Sequence, residues 1–150
     1  MKKFVWRLQR LLDIKIKQEK ALRAELVAVT EQAVAVKGQI VLKKIALRQK
    51  LEDLGNLAPK QRLGQQQFFL KFVHVLDTQI RHLKQALKEI EELRKKKINE
   101  IIEIRKSRKS LEKLRETAKE EYVIEQNRLE QIENDDQTSI KYARNIMQKI

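Results

Sequence analysis

The sequence predicts an all-α fold in which two long helices form an antiparallel, left-handed coiled-coil hairpin. Apolar residues return every seven positions in two interleaved series, one from Phe69 to Ile146 and the other from Val73 to Ile150. Of these 24 positions 17 are apolar, against 41% of the whole chain, and no Pro or Gly interrupts the stretch. A period of about 3.5 residues held this long indicates a helix buried along a narrow seam against a partner helix.

Helix one is predicted to cover about residues 4–54. Its apolar positions follow steps of three and four residues, which is the spacing of one helical face. The positions on this face are Val5, Leu8, Leu12, Leu22, Leu26, Val29, Ala33, Val36, Ile40, Leu47 and Leu54. Lys15, Glu19, Lys43 and Lys50 interrupt the face, and a lysine stem can lie along apolar surface while its ammonium group stays in water. Gly38 costs about 1 kcal/mol relative to alanine and marks a weak point in the helix.

A single turn is expected at residues 55–66. Gly55 suits the left-handed conformation that commonly follows a helix. Pro59 fits either just past a helix end or in the first turn of the next helix. Gly64 marks a second irregular point, so a short helical turn over residues 59–63 would fit between them.

Helix two is predicted to run from about residue 65 to residue 148. A short connection makes the two helices antiparallel neighbours, so residues 1–150 form a single hairpin domain. Folding back about residue 61 sets Leu8 near Arg115 and exhausts helix one near residue 119. The roughly 30 remaining residues of helix two keep the apolar seam, about 45 Å of it. Either helix one pairs there in another register, or a partner protein covers the seam.

Composition and charge narrow the classes of function. The chain has no Cys, which removes disulfides, zinc fingers and thiol catalysis. No apolar run approaches the roughly 18 residues of a membrane span, and the apolar start ends at Arg7, too early for a signal peptide. A cytoplasmic protein is expected. The net charge is +13, with a net of +9 in residues 1–50 and −6 in residues 116–136. The basic half should attract an acidic protein cavity, nucleic acid or an anionic membrane surface.

Residues that could carry catalysis or metal binding are scarce. His74 and His82 lie two helical turns apart, too far to bind one ion, and no glycine-rich phosphate loop is present. The protein is therefore not expected to be an enzyme, to hold a metal or cofactor, or to bind a small-molecule substrate. The run from Arg94 to Lys97 could be a nucleic-acid patch, but its four side chains point around the helix and acidic residues flank them. A solvated helix surface is the favoured interpretation, and nucleic acid is not expected as a partner.

Three of the seven aromatic residues crowd together just after the turn. Phe69 and Phe72 can lie near the seam, whereas Phe68 is one residue off it and should point outward. Two helices cannot bury all of these rings. The cluster is either a hydrophobic plug that closes the turn or an exposed docking patch for another protein.

Three segments resemble the FliJ family of flagellar export proteins. Residues 4–13 run Phe-x-Trp-Arg-Leu-Gln-Arg-Leu-Leu-Asp, which is similar to the opening of that family. Residues 72–80, Phe-Val-x-x-Leu-x-x-x-Ile, resemble the segment after its turn. Residues 111–116, Leu-Glu-Lys-Leu-Arg-Glu, are followed by Tyr122 and the acidic pair Asp135-Asp136, in the order of its carboxy-terminal signature. The resemblance covers nearly the whole chain.

The resemblance implies a stalk protein similar in shape to the central shaft of rotary ATPases. Such a protein would sit in the export ATPase hexamer, reach the transmembrane export-gate protein and assist export chaperones, in the cytoplasm at the inner face of the membrane. Carried onto this chain, the gate contact would involve Phe68, Phe69, Phe72 and Leu76. The end that holds both termini would enter the ring, through Phe4, Arg7, Arg10 and Leu11.

Other functions stay open on sequence alone. The nearest alternative is the equivalent stalk of a virulence-type secretion system. A basic coiled coil that binds nucleic acid or an anionic membrane is a second alternative, and a plain dimeric scaffold is a third. Steep loss of binding with salt would favour the second alternative, and sedimentation as a stable dimer would favour the third.

Overall fold

The computed structural model describes residues 2–149 and contains two long helices. Helix α1 comprises Gln9–Gly55 and helix α2 comprises Pro59–Lys149. A three-residue connection joins them, and no strand occurs in the part of the chain that the structure describes. The predicted all-α hairpin is therefore confirmed.

The amino-terminal end of α1 lies later than predicted, at Gln9 rather than near residue 4. Residues 2–6 have no regular structure and Arg7 and Leu8 form a turn. This turn is closed by the hydrogen bond from the Gln9 amide to the Trp6 carbonyl, at 3.1 Å. This segment contacts α2 through Phe4 and Lys2, as described below.

The turn is shorter than the predicted residues 55–66, because α2 already begins at Pro59. Proline fits the first position of a helix, where its missing N–H would have no partner. Gly64 lies inside α2 and is not an irregular point. The expectation of a left-handed Gly55 is wrong, since no described glycine has a positive φ.

Arg62 supplies the cap that a left-handed glycine would otherwise provide. Its guanidinium donates from Nη2 to the Gly55 carbonyl at 2.5 Å and from Nε to the Leu57 carbonyl at 2.9 Å. The last carbonyls of a helix lack partners within the helix and carry partial negative charge, so a cation there is favourable. One side chain thus closes α1 from the first turn of α2.

The chain divides into two compact units, and one of them is Glu19–Glu103. Within this unit the two helices run antiparallel. Lys50, Lys37 and Glu25 of α1 contact Phe72, Glu91 and Lys97 of α2, respectively, so residue numbers fall along α1 as they rise along α2. Its core is a thin seam rather than a globular interior. The apolar residues that are less than 9% exposed in this unit are Val29, Ala33, Ile40, Leu76, Ile80 and Ile101. All six belong to the apolar series predicted from the sequence.

Glu19 is a buried carboxylate within this seam. It is 5% exposed and accepts a hydrogen bond from Arg23 Nη2 at 2.7 Å, one helical turn away. The sequence marked Glu19 as an interruption of the apolar face. The structure buries it with a cation beside it, as a buried carboxylate requires.

The second unit combines Met1–Gln18 with Ile104–Ile150. Leu12 is its buried apolar residue at 4% exposure, whereas Val5, predicted to lie on the seam, is 86% exposed because α1 has not yet begun. Every residue from 127 to 149 is exposed, including the seam positions Leu129 and Ile132. Ile150, the last position of the second heptad series, lies outside the described residues.

Candidate functional site

The aromatic cluster after the turn is the first candidate surface. Phe68 is 70% exposed, as predicted from its position one residue off the seam, while Phe69 and Phe72 are half-buried. Phe68 and Phe72 are one helical turn apart, so their rings share a side of α2. The cluster is thus neither a fully closed plug nor a fully exposed patch.

A cleft of about 550 Å³ lies beside these rings. Its walls come from the end of α1, the turn and the start of α2, and its lining residues are Lys50, Asp53, Leu54, Leu57, Gln65, Phe68, Phe69 and Phe72. Lys50 places its Nζ 5.6 Å from the centre of the Phe72 ring, where the ring face attracts a cation. Five of the eight lining residues are apolar, and one cation and one carboxylate are among the other three.

Leu76 differs from the three phenylalanines with which the sequence grouped it. It is only 5% exposed and belongs to the seam. A buried side chain cannot contact another protein directly unless the two helices separate. Leu76 is one turn beyond Phe72 on the same side of α2, so its burial fixes the helix that carries that ring.

The second candidate surface is built around Phe4. The Phe4 ring lies 5.4 Å from the Tyr122 ring, centre to centre, at an interplanar angle of 52°. The Tyr122 hydroxyl donates to the Lys2 carbonyl, and Arg115 Nε donates to Gln9 Oε1 at 2.8 Å. The Arg115 guanidinium is also 6.0 Å from the centre of the Phe4 ring. These contacts tie the non-helical segment before α1 to one side of α2.

The other three residues assigned to this surface point to solvent. Arg7 and Arg10 are exposed, and Leu11 is 43% exposed. Phe4, in contrast, is half-buried by Tyr122 and serves to hold the segment. The structure therefore separates the predicted set into one anchoring ring and three side chains available for contact.

Two ion pairs among the described residues shift the pKa values of their members. The Glu25 carboxylate accepts a hydrogen bond from Lys97 Nζ at 2.7 Å and raises the pKa of Lys97. Arg128 donates to Glu125 and lowers the pKa of that carboxyl. The first pair joins α1 to α2, whereas the second lies within one turn of α2. Only the first can respond to separation of the helices.

The basic run from Arg94 to Lys97 is partly neutralised in the structure. Arg94 Nη1 lies 3.4 Å from Glu91, and Lys97 contacts Glu25. Lys95 and Lys96 are exposed. Two of the four cations are thus engaged with carboxylates, which weakens the nucleic-acid interpretation.

Residues 2–149 contain neither a cluster of metal-ligating side chains nor a membrane-spanning helix. Nowhere in this range do three or more His, Cys, Asp or Glu side chains gather as metal ligands would. Neither described helix combines the length and apolar composition that crossing a membrane demands.

Sequence reasoning missed the roles of Arg115 and Gln9. Arg115 occupies a seam position in the heptad series, and the predicted fold set it beside residue 8, one residue from its observed partner Gln9. A cation at a seam position next to an amide is the signal that could have identified the pair. Lys50 was noted only as an interruption of the apolar face, although it contacts the Phe72 ring.

Comparison with known proteins identifies the family. The profile described as "Flagellar FliJ protein" matches residues 3–146, nearly the whole chain, and includes both candidate surfaces. No curated protein and no solved structure is similar enough to the chain to count as a match. The resemblance inferred from the three sequence segments is thereby confirmed. The chain belongs to the flagellar FliJ protein family.

Proposed function

We propose that this protein is a non-enzymatic stalk and adaptor that links the export ATPase ring to the membrane export gate. The observation that carries the proposal is the family match over residues 3–146, which implies a protein of the flagellar export apparatus. The flagellar description also favours this assignment over a virulence-type stalk. The protein would work in the cytoplasm, peripherally at the inner face of the membrane, and would assist export chaperones.

The gate contact is proposed at the cluster of Phe68, Phe69 and Phe72. An exposed ring beside an apolar cleft is the arrangement in which a partner gains most from burial, because rings contribute large apolar areas at interfaces. A side chain from the gate protein would enter the cleft while Phe68 becomes covered. Leu76 would act as a positioning residue, since its burial supports the helix that carries Phe72.

Binding to the soluble domain of the export-gate protein tests this contact. Phe68→Ala and Phe72→Ala should each weaken binding by about tenfold or more, because tenfold corresponds to about 1.4 kcal/mol and truncation of a hot-spot ring costs about 2 kcal/mol or more. Leu70→Ala is the matched control, since Leu70 is 62% exposed on the same helix but does not line the cleft. Equal losses for Leu70→Ala and Phe68→Ala, or no loss in either ring variant, would contradict the proposed contact.

The ring contact is proposed at Arg7, Arg10 and Leu11. Two exposed cations beside an exposed leucine suit an acidic lumen with apolar patches, and Phe4 would hold this segment against α2. Attraction between exposed charges is screened by salt, so the association should weaken as ionic strength rises.

Co-purification with the hexameric ATPase and stimulation of its ATPase rate together test this second contact. The chain should raise the ATPase rate of the hexamer and hydrolyse no ATP alone. Arg10→Glu should reduce the stimulation, whereas Lys17→Glu, an equal change of charge at another exposed position, should retain it. ATP turnover by the isolated chain, or identical behaviour of the two charge variants, would count against the stalk assignment.

A further inference from the structure

The last part of α2 keeps a heptad seam although every residue from 127 to 149 is exposed. We call residues 127–149 the free segment. Its positions in the two heptad series are Leu129, Ile132, Asp136, Ser139, Ala143 and Ile146. The three large apolar side chains among them are 44% to 46% exposed. A seam with this spacing is buried when a second helix lies along it, so the free segment presents an unfilled coiled-coil surface.

The seam of the free segment has the same pattern in both directions. Two apolar positions are followed by two polar positions and then by two apolar positions. A two-fold symmetric pair of antiparallel helices needs such a pattern, because each position then faces its counterpart from the other end of the seam. The facing pairs between two copies are Leu129 with Ile146, Ile132 with Ala143, and Asp136 with Ser139. At the centre, the Ser139 hydroxyl of each copy can donate a hydrogen bond to the Asp136 carboxylate of the other.

The charges of the free segment lie in two halves of opposite sign. Residues 127–136 carry four carboxylates and one cation, whereas residues 137–149 carry three cations and no carboxylate. Antiparallel pairing sets the acidic half of each copy against the basic half of the other, so both ends of the pair attract. Parallel pairing would set halves of like charge together and would place Asp136 against itself.

The charges that would attract a second copy are not engaged within the hairpin. Arg128, the one cation of the acidic half, pairs with Glu125 of the same helix at 2.7 Å. The other charged groups of the free segment form no ion pair with any described residue, and they are Glu130, Glu133, Asp135, Asp136, Lys141, Arg144 and Lys149. The free segment is thus complementary to itself in its seam and in its available charges.

We propose that the free segment binds the free segment of a second copy of this chain, as a two-fold antiparallel coiled coil. A helix of unrelated sequence could cover the apolar positions, but it would not account for the symmetric seam and the opposite halves. Polar seam residues fix the register of a coiled coil at a cost in stability, so the pair is weak and reversible. The proposal does not depend on the gate and ring contacts, which use other residues.

Sedimentation equilibrium of the full-length chain at several concentrations tests the proposal, and a monomer–dimer equilibrium is expected. Ile132→Asp should raise the dissociation constant of the dimer about tenfold or more, because it buries a carboxylate against Ala143 of the second copy. Ile124→Asp is the matched control, since Ile124 is 67% exposed on the same helix but lies off the seam. Both isoleucines are exposed in the single chain, so neither variant should unfold the hairpin.

Reversal of the charged halves makes the test specific for self-complementary pairing. Glu130→Lys combined with Glu133→Lys should raise the dissociation constant about tenfold, because both halves are then basic. Lys141→Glu combined with Arg144→Glu should do the same, because both halves are then acidic. All four substitutions together make the halves opposite again and should restore much of the dimerisation. A partner other than a second copy does not predict this restoration.

Cross-linking reports the direction of the two helices, since the chain has no native Cys. In the antiparallel register, equivalent residues at position 139 are about 5 Å apart along the axis, whereas those at position 147 are about 28 Å apart. A short bismaleimide should therefore join two copies of Ser139→Cys but not two copies of Met147→Cys.

Several outcomes would overturn the proposal. Sedimentation as a monomer at every concentration would show that the copies do not bind, and equal dimerisation of Ile132→Asp and Ile124→Asp would place the contact elsewhere. Cross-linking of Met147→Cys as efficiently as Ser139→Cys would indicate a parallel pair. A four-fold charge variant that dimerises no better than either two-fold variant would assign the charged halves to a different partner.

Discussion

Replacing Leu76 by alanine in one variant and Phe68 by alanine in another should distinguish the role of the buried seam from that of the exposed contact surface. Both are large apolar residues of α2, eight positions apart, and both belong to the proposed gate region. Leu76 is 5% exposed and Phe68 is 70% exposed. The two variants should therefore differ in which property they lose: stability for the first and partner binding for the second.

The expected loss of stability for Leu76→Ala follows from its burial. Full burial of a leucine side chain contributes about 1.5–3 kcal/mol, and leucine-to-alanine changes in closed cores cost about 2–5 kcal/mol. Only two helices form the seam in this unit, so neighbouring side chains and water can fill the space that the leucine leaves. The cost should lie near the lower end, about 2–3 kcal/mol.

Phe68→Ala should cost less than about 0.5 kcal/mol, because most of the ring is already in water. Val75→Ala provides a control next to Leu76. This valine is 52% exposed, and alanine favours helix more than valine, so the two effects should nearly cancel.

Urea unfolding followed by helical circular dichroism measures these differences, and the slope against denaturant shows whether the unfolded state has changed. The reasoning is wrong if Phe68→Ala lowers the unfolding free energy as much as Leu76→Ala does. It is also wrong if Leu76→Ala leaves stability intact, because the seam would then not depend on this leucine.

Three further predictions concern the turn, the amino-terminal segment and the contact between the helices. Arg62→Ala should lower the unfolding free energy by about 1 kcal/mol, since two hydrogen bonds to exposed carbonyls are lost; urea unfolding measures it. Tyr122→Phe should free the segment before α1 while leaving overall melting unchanged, seen as faster amide exchange and altered emission of the single tryptophan, Trp6. The pKa of Lys97 is raised by Glu25, so stability from this pair is complete below pH 10.5 and is lost as pH rises through the higher folded value. Glu25→Gln should remove that alkaline loss from the unfolding profile.

Each of these predictions has a result that contradicts it. Arg62→Lys should retain part of the stability, so equal losses for lysine and alanine would argue against a capping role. Unchanged exchange in Tyr122→Phe would mean that the ring contact alone holds the segment. Identical alkaline profiles for Glu25→Gln and the wild type would mean that the Lys97 pair does not contribute to folding.

Much of the fold could be predicted because a two-helix seam repeats its chemistry along the chain. Leu76 and Ile101 are buried where the heptad series set them, Ile40 is buried on the predicted face of helix one, and a register of this kind leaves few alternatives. Boundaries were harder to predict, because they depend on single contacts. Val5 lies on the periodic series yet is exposed, since it belongs to the non-helical segment whose Phe4 ring and Lys2 carbonyl contact Tyr122.

The candidate surfaces were predictable only in part. The outward position of Phe68 follows from its offset from the seam, a purely local property. The burial of Leu76 also follows from the register, but family likeness grouped it with contact residues that play a different part.

Leu76 of the seam and Phe68 of the exposed surface can also be replaced together in one variant. If Leu76 stabilises the hairpin and Phe68 contacts a partner, their effects on unfolding should be independent, since they are two helical turns apart. The double variant should then lose the sum of the two single losses to within about 0.5 kcal/mol. A larger departure would mean that Phe68 and Leu76 share packing through Phe72, and the aromatic cluster would then act as a plug that closes the turn rather than as a free docking surface.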